Sequence, residues 1–540
     1  MHGFEIVLGL VVLATVVAAL AERLRAPAPS LLVIAGLLVG LLPNVPDVVL
    51  DPHVVSLVIL PPLLWAAAAE VAVNELVPVL RTVGILAIGL VAASAAAVAV
   101  VTHAVFPQVS LTNGFVLGAV LASTDPIAVS ALARRLQLPP RLLALVQGES
   151  LLNDATSLVL FRVAVGVAVA GTGVSILQAT WDYLRLGVGG ALIGVATAVF
   201  VRFVRRRVHD PVLDTVAALI APYGIYALAE TARTSGVTAV VVAGLFLGAR
   251  ERSQALSPGP TRLQIATVYA VVQFLLESVV FAVIGLELPV LVRRLAGDDQ
   301  YFVGGALVVT ATVIGVRALW VYPSAYLPYW LHRMRGREEP RTRPPWQVPT
   351  VIAWVGTRGV VPLTAALSIP LTVDSGAPFP HRDLLLVLTI SCILITLVVQ
   401  GLTLGPLVDR LGVTEDPARR IRDELIAREA TALAALSRLE ELTELWSVPR
   451  DVVIRLRTEL EHRVMQSQQR LAAYDASIQS AGDTTRHRLD DETYRAVRRD
   501  LLAAESSTLR RLRDDGQISE ATRRRLQRSL DIQEAALDDS

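Results

Sequence analysis

Between Gly148 and Ser157 the chain reads Gly-Glu-Ser-Leu-Leu-Asn-Asp-Ala-Thr-Ser, inside a run that is otherwise apolar. If that run is a helix, with about 100° between residues, Glu149, Ser150, Asn153, Asp154, Thr156 and Ser157 share an arc of about 160°. Leu151, Leu152 and Ala155 cover the opposite side. Ser150 and Asp154 are four apart, as are Glu149 and Asn153, so two neighbouring polar rows face one way. Carboxylate and hydroxyl oxygens are what a hard cation needs, and a carboxylate can bind a proton instead. A second place is Ala122-Ser123-Thr124-Asp125-Pro126-Ile127. Pro126 removes an amide donor and clashes with the preceding turn, and Thr124 and Asp125 are capping types. The combination predicts a helix interrupted in mid-run, with its freed backbone groups turned to a cavity. A third is arginine in apolar surroundings, Arg317 and Arg358. A buried arginine needs a partner, and Glu149 and Asp125 are the available carboxylates. Gly356 and Gly359 around Arg358, with Pro362 beyond, predict a second interrupted helix. Glu277 lies about one-third into its apolar run and fits a structural or interface role, whereas Glu70 closes its run and reaches headgroup depth.

The elements that must hold these groups follow from composition. The chain has 540 residues, of which 53% are hydrophobic, and its mean hydropathy is +0.56, far above a soluble average. Residues 413–540 hold 22 Arg and 25 Asp or Glu, 47 of the 97 charges, so the first 412 residues share only 50. This is the pattern of an all-α polytopic membrane protein (residues 1–412) with a charged helical cytoplasmic domain (residues 413–540). It excludes a soluble enzyme, a secreted disulfide scaffold and a disordered chain. Cys392 has no partner cysteine, and the net charge of +1 carries no nucleic-acid signature. All 49 basic residues are Arg, so no lysine can serve as a proton-linked site.

A helix needs about 20 apolar residues to cross a bilayer. About thirteen runs are candidates, near 4–21, 31–42, 53–69, 83–106, 113–133, 143–170, 185–203, 213–229, 236–249, 266–292, 302–327, 349–370 and 383–407. With the N-terminus outside, eighteen arginines fall in cytoplasmic connections and five, Arg185, Arg233, Arg293, Arg294 and Arg382, in outer ones. The inverted orientation would reverse that ratio. The first run has no basic flank or cleavage site and is read as a retained span. The tail repeats Leu, Ile and Ala at helical spacing among alternating charges, with breaks near Pro449 and Ser477–Thr485.

Taken together, Leu60-Pro61-Pro62-Leu63-Leu64-Trp65, Ser123-Thr124-Asp125-Pro126, Gly148-Glu149-Ser150-Leu151-Leu152-Asn153-Asp154, Ser235-Gly236, Val283-Ile284-Gly285-Leu286 and Thr357-Arg358-Gly359-Val360 resemble the monovalent cation/proton antiporter-1 family, the bacterial sodium/proton exchangers. The Thr-Asp-Pro break joined to Gly-Glu-Ser-x-x-Asn-Asp is the specific part, and the resemblance covers the membrane domain only. It implies a thirteen-helix fold with inverted repeats and two discontinuous helices that cross near the midplane. It implies a homodimer in the plasma membrane, with a dimerisation domain that holds still while a core domain moves, and no cofactor beyond the transported ions. Asp154 would bind cation and proton alternately, as both cation and proton site. Thr124 and Ser150 would complete the cation shell, and Asp125 would offset helix-end dipoles. Glu149, Arg317 and Asn153 would form a supporting network, with Arg358 beside the second break. One departure is Ala66-Ala67-Ala68-Ala69, where some exchangers carry a carboxylate; Glu70 is the nearest acid.

Other function classes fit less well. A channel shows a filter loop or charge rings along a continuous pore, whereas single carboxylates beside helix breaks suit alternating access. An intramembrane hydrolase lacks its parts: no His-Glu-x-x-His occurs, and all eight histidines are terminal, near span ends or in the tail. The expected function is exchange of a monovalent cation, Na⁺ first, with Li⁺ or K⁺ as alternatives, for H⁺.

Overall fold

Apolar runs bounded by proline, glycine and arginine become helices, because within lipid a helix alone satisfies its own backbone. The computed structural model describes residues 2–24, 28–42, 55–125, 138–170, 176–208, 210–254, 259–295, 301–334, 345–414, 417–445 and 449–479, with scattered positions between 497 and 533. Pro126, and with it the second half of the fifth predicted span, lies outside the described residues. So do Arg25, Arg134, Arg135, Arg335, Arg337, Arg341 and Arg343 of the basic connections. No strand occurs among the described residues, which contain only an isolated bridge, Thr372 to Pro378.

Contacts divide the chain into two compact units, Met1–Glu415 and Asp416–Ser540. In the first unit the helices are α1 (His2–Leu24), α2 (Ala28–Gly40), α3 (Leu60–Glu70), α4 (Val73–Val105), α5 (Leu111–Ala122), α6 (Pro140–Ala170) and α7 (Ile176–Arg205). They continue as α8 (Pro211–Thr231), α9 (Gly236–Gln254), α10 (Gly259–Arg294), α11 (Phe302–Met334), α12 (Gln347–Trp354), α13 (Val360–Leu367) and α14 (Arg382–Leu411). Among the described residues seven helices are long and apolar enough to cross a membrane, and five shorter apolar helices join them. The run over 349–370 is interrupted as expected: two eight-residue helices, α12 and α13, lie on either side of the irregular stretch 355–359.

Small residues set the helix pairing, as expected where lipid gives no hydrophobic drive between helices. Gly114 and Gly118 of α5 lie on the backbone of Ala99 and Ala95 in α4; a Cβ at Gly114 would meet the Ala99 carbonyl oxygen at 2.9 Å. Gly40 of α2 lies against Leu286 of α10, Gly194 of α7 against Ala239 of α9, and Gly248 of α9 against Ala69 of α3. The motif segments thereby acquire mechanical roles. Pro61 and Pro62 open α3, the Ser235 hydroxyl accepts from the Thr238 amide at the start of α9 (3.2 Å), and Gly285 faces α2. These contacts gather α1, α2, α3, α7, α8, α9 and α10 on one side, and α4, α5, α6 and α11 to α14 on the other.

In the second unit α15 (Pro417–Leu445) and α16 (Arg450–Gln479) form an antiparallel hairpin. Gln468 bonds Glu429 at 2.7 Å and Arg457 bonds Glu440 at 3.2 Å, which fixes the register. Leu425, Ala432 and Leu439, seven apart, are its buried seam.

Candidate functional site

α5 stops at Ala122, and Ser123 leaves it with extended backbone (φ −66°, ψ 144°). The last carbonyls of a helix have no donors of their own. Here Arg358, 2% exposed, supplies them: its Nη1 donates to the Ser123 carbonyl at 2.7 Å and the Ala122 carbonyl at 3.2 Å. The Asp125 amide donates to the Thr357 carbonyl at 2.9 Å, so the two breaks lie directly against each other. A Cβ on Gly359 would run into the Asp125 carboxylate, so only glycine leaves room for that group. The carboxylate therefore faces the start of α13, where unpaired N–H groups carry partial positive charge. The end of α5 and the start of α13 thus each meet a side chain of opposite sign. The sequence left Arg358 to pair with a carboxylate; instead it serves the carbonyl end of α5, an equally good home for a guanidinium because that end is partially negative.

α6 supplies the facing wall. Glu149, Ser150, Asn153 and Asp154 are all at most 1% exposed. Ser150 donates to the Thr124 carbonyl oxygen (2.8 Å), and the Thr124 hydroxyl donates to the Ser150 hydroxyl (2.9 Å). The Asn153 amide reaches both the Thr124 hydroxyl and Glu149 Oε1, each at 3.2 Å. Thr156 and Ser157 share the polar arc but stay out of this network, since their hydroxyls bond carbonyls of their own helix, Leu152 and Asp154. Arg317 grips Glu149 with two parallel bonds, 2.8 and 2.7 Å, and its Nε donates to the Ile352 carbonyl of α12. Gly356 makes room for it: a Cβ there would lie 2.8 Å from Arg317 Cδ.

Asp154 stands at the centre. One of its oxygens accepts from the Ser123 hydroxyl. The other, Oδ2, is buried with no partner, as is Asn153 Oδ1. Buried polar atoms are almost always bonded, so an unpartnered carboxylate oxygen at this depth is open to a further ligand. Glu149 already has its counter-charge, and Asp125 has a helix end. Among the described residues Asp154 is the only carboxylate with a buried oxygen that has no partner. It can take a proton or a desolvated monovalent cation, with the oxygens of Ser150, Thr124 and Asn153 close by.

Ser123 was not legible as a site residue. Its signal was a small hydroxyl side chain directly before the Thr-Asp-Pro break, and only the fold turns it toward α6. Glu277 stands apart from this network: it accepts from Gln273 of its own helix at 3.0 Å. Glu70 is exposed at the end of α3. Sequence reading also missed a charged group on α6 and α8, where Arg162 meets Glu230 at 2.7 Å and Tyr226 at 3.1 Å, and the buried Arg205–Asp214 pair joining α7 to α8 at 2.7 Å.

Residues 10–410 match the family described as sodium/hydrogen exchanger, transmembrane. An uncharacterized Na⁺/H⁺ exchanger of Mycobacterium tuberculosis is 33% identical over 551 residues, covering 98% of this chain and 97% of that protein. A sodium, potassium, lithium and rubidium/H⁺ antiporter of Bacillus pumilus is 28% identical over 394 residues, 71% of this chain and 58% of that protein. Among solved structures, the sodium proton antiporter MjNhaP1 of Methanocaldococcus jannaschii superposes with a TM-score of 0.62 at 21% identity, covering 77% of this chain and 99% of that one. That likeness shows the antiporter fold.

Proposed function

The chain belongs to the transmembrane sodium/hydrogen exchanger family, and from that premise we infer that it exchanges Na⁺ for H⁺ by presenting Asp154 alternately to the two sides of the membrane. One observation carries this reading: Asp154 is wholly buried beside the end of α5, where Ser123 bonds one of its carboxylate oxygens and the other has no partner. Proton and cation compete for that oxygen. Ser150 and Thr124 supply further oxygens to the cation, and Asn153 orients beside them. Asp125 and Arg358 hold the two half-helix ends together, and the Glu149–Arg317 pair ties α6 to α11. All of these groups belong to the α4, α5, α6 and α11 to α14 side. That supports movement of this side as a body past the other, within a homodimer of the plasma membrane whose N-terminus is outside and whose tail is cytoplasmic.

Exchange of one cation for one proton follows from a charge count. With Asp154 alone titrating, the site is neutral when it carries a proton and neutral when it carries a monovalent cation. A membrane potential acts on moved charge with about 2.3 kcal/mol per elementary charge per 100 mV, and here no net charge moves. The test is exchange by purified protein in proteoliposomes. Wild type should show Na⁺/H⁺ exchange at a rate insensitive to a clamped potential, and Asp154→Asn should reduce it to background while still inserting in the membrane. Coupled exchange by a well-folded Asp154→Asn protein would overturn the assignment, and a clear dependence on potential would require a second proton site, with Asp125 first in line. K⁺/H⁺ exchange is the second reading, favoured by the potassium named among the ions of the Bacillus pumilus antiporter; the same assay with Li⁺, K⁺ and Rb⁺ decides it.

A further inference from the structure

Away from the helix crossing, a cleft of about 360 Å³ opens where the later part of α6, the first turns of α7 and the turn between α8 and α9 come together. Its apolar lining is Val163, Val167 and Leu186, all half-buried, and its charged lining includes the exposed Asp182, Arg185 and Arg233. Arg162 also lines it, but that guanidinium is committed to Glu230 and Tyr226. Among the described residues the side chains of Arg185 and Arg233 make no ion pair or hydrogen bond. With Arg162 balanced by Glu230, two free guanidiniums face one carboxylate, so the cleft carries net positive charge.

The backbone adds a second observation. Arg233 sits in the turn after α8 with φ +56°, the left-handed conformation that favours glycine. The turn is closed by bonds from the Arg233 amide to the Glu230 carbonyl (2.9 Å) and from the Thr234 amide to the Ala229 carbonyl (3.0 Å). A glycine would close that turn with less strain but would bring no cation to the cleft.

Depth supplies a third. The apolar run of α7 begins near residue 185 and that of α8 ends near residue 229. At about 1.5 Å per residue, Arg185 and Arg233 both lie within two turns of these ends. Trp181, 67% exposed on the same first turns of α7, is the residue type that settles at the membrane–water interface. Basic groups above an apolar wall at this depth match a phosphate above an acyl chain. We propose that this cleft binds the phosphate of an anionic phospholipid headgroup, with Arg185 and Arg233 donating to its oxygens and the acyl chain lying on Val163, Val167 and Leu186.

The test uses the full-length protein in detergent, titrated with phosphatidylglycerol, phosphatidylcholine or inorganic phosphate, with the melting temperature as readout. Phosphatidylglycerol should raise the melting temperature of wild type and phosphatidylcholine should not. In the double variant Arg185→Gln, Arg233→Gln, apparent affinity for phosphatidylglycerol should fall on the order of thirtyfold, from about one kcal/mol for each arginine near an anionic lipid. Arg233→Gly separates binding from structure. It should melt higher than wild type without lipid, because the left-handed turn is relieved, and yet respond less to phosphatidylglycerol. If inorganic phosphate reproduces the shift and the double variant abolishes it, the phosphate site stands and its ligand is a soluble anion. Equal stabilisation by both lipids, or an unchanged phosphatidylglycerol response in a monodisperse double variant, overturns the proposal.

Discussion

At the helix crossing Arg317 and Glu149 meet at 2.7 Å with 1% of each side chain exposed; in the α15–α16 hairpin Arg457 and Glu440 meet at 3.2 Å with 48% and 64% exposed. The residue types are the same and the consequences are opposite. On the tail, water is an alternative partner, so an ion pair adds only about 0–1 kcal/mol and the buried Leu425–Leu439 seam holds the hairpin. In the membrane there is no alternative partner, so each charge must be answered by protein. Arg317 is answered by Glu149, Arg358 by the carbonyl end of α5, and Asp125 by the start of α13. Asp154 is answered on one oxygen only. Among the described residues no other carboxylate has a buried oxygen without a partner.

Four measurements would break or sharpen this contrast, beginning with the largest effect. Removing one member of the buried pair leaves an unpaired charge, so Arg317→Ala and Glu149→Gln should each destabilise the detergent-purified protein by about 3–5 kcal/mol, and the double variant should lose less than the sum. Additive losses would show that the two do not depend on each other. Leu439→Ala should cost about 2–4 kcal/mol, confined to the second unit: hydrogen exchange should speed up in α15 and α16 and stay unchanged in α5 and α6. Gly359→Ala pushes a methyl group into the Asp125 carboxylate. It should lower stability by about 1–3 kcal/mol and impair exchange, and full exchange would show that the Asp125 position is unimportant. Arg428→Ala removes a half-exposed pair with Glu424 and should change the melting free energy by no more than about 0.5 kcal/mol. A larger loss would mean that tail pairs are not simply solvated.

Much of this was legible without coordinates because membrane sequences state their exceptions openly. Glu149, Ser150, Asn153 and Asp154 could be placed on one face because helical spacing is fixed and the neighbouring residues are apolar. The break at 355–359 could be placed because Gly356, Gly359 and Pro362 cluster within one run. Partner choice was less legible. Arg317 and Arg358 look alike in sequence, 41 positions apart in comparable apolar settings. Nothing local says that one meets a carboxylate and the other meets backbone carbonyls. Ser123 was hidden for the same reason: its value depends on where α6 passes, and Arg233 reveals itself only through its backbone angle.

The sequence by itself therefore determined which side chains enter the membrane, on which helical faces they lie and where helices must stop. These are properties of composition and of a local period. Only the tertiary structure decided which charges neutralise one another, and so which one remains open. That choice is made by segments far apart in the chain, Ser123 and Asp125 with Arg358, Glu149 with Arg317. At van der Waals distance in a medium without water, placement of a few ångströms decides whether a carboxylate is a structural anchor or a site that two ions can share.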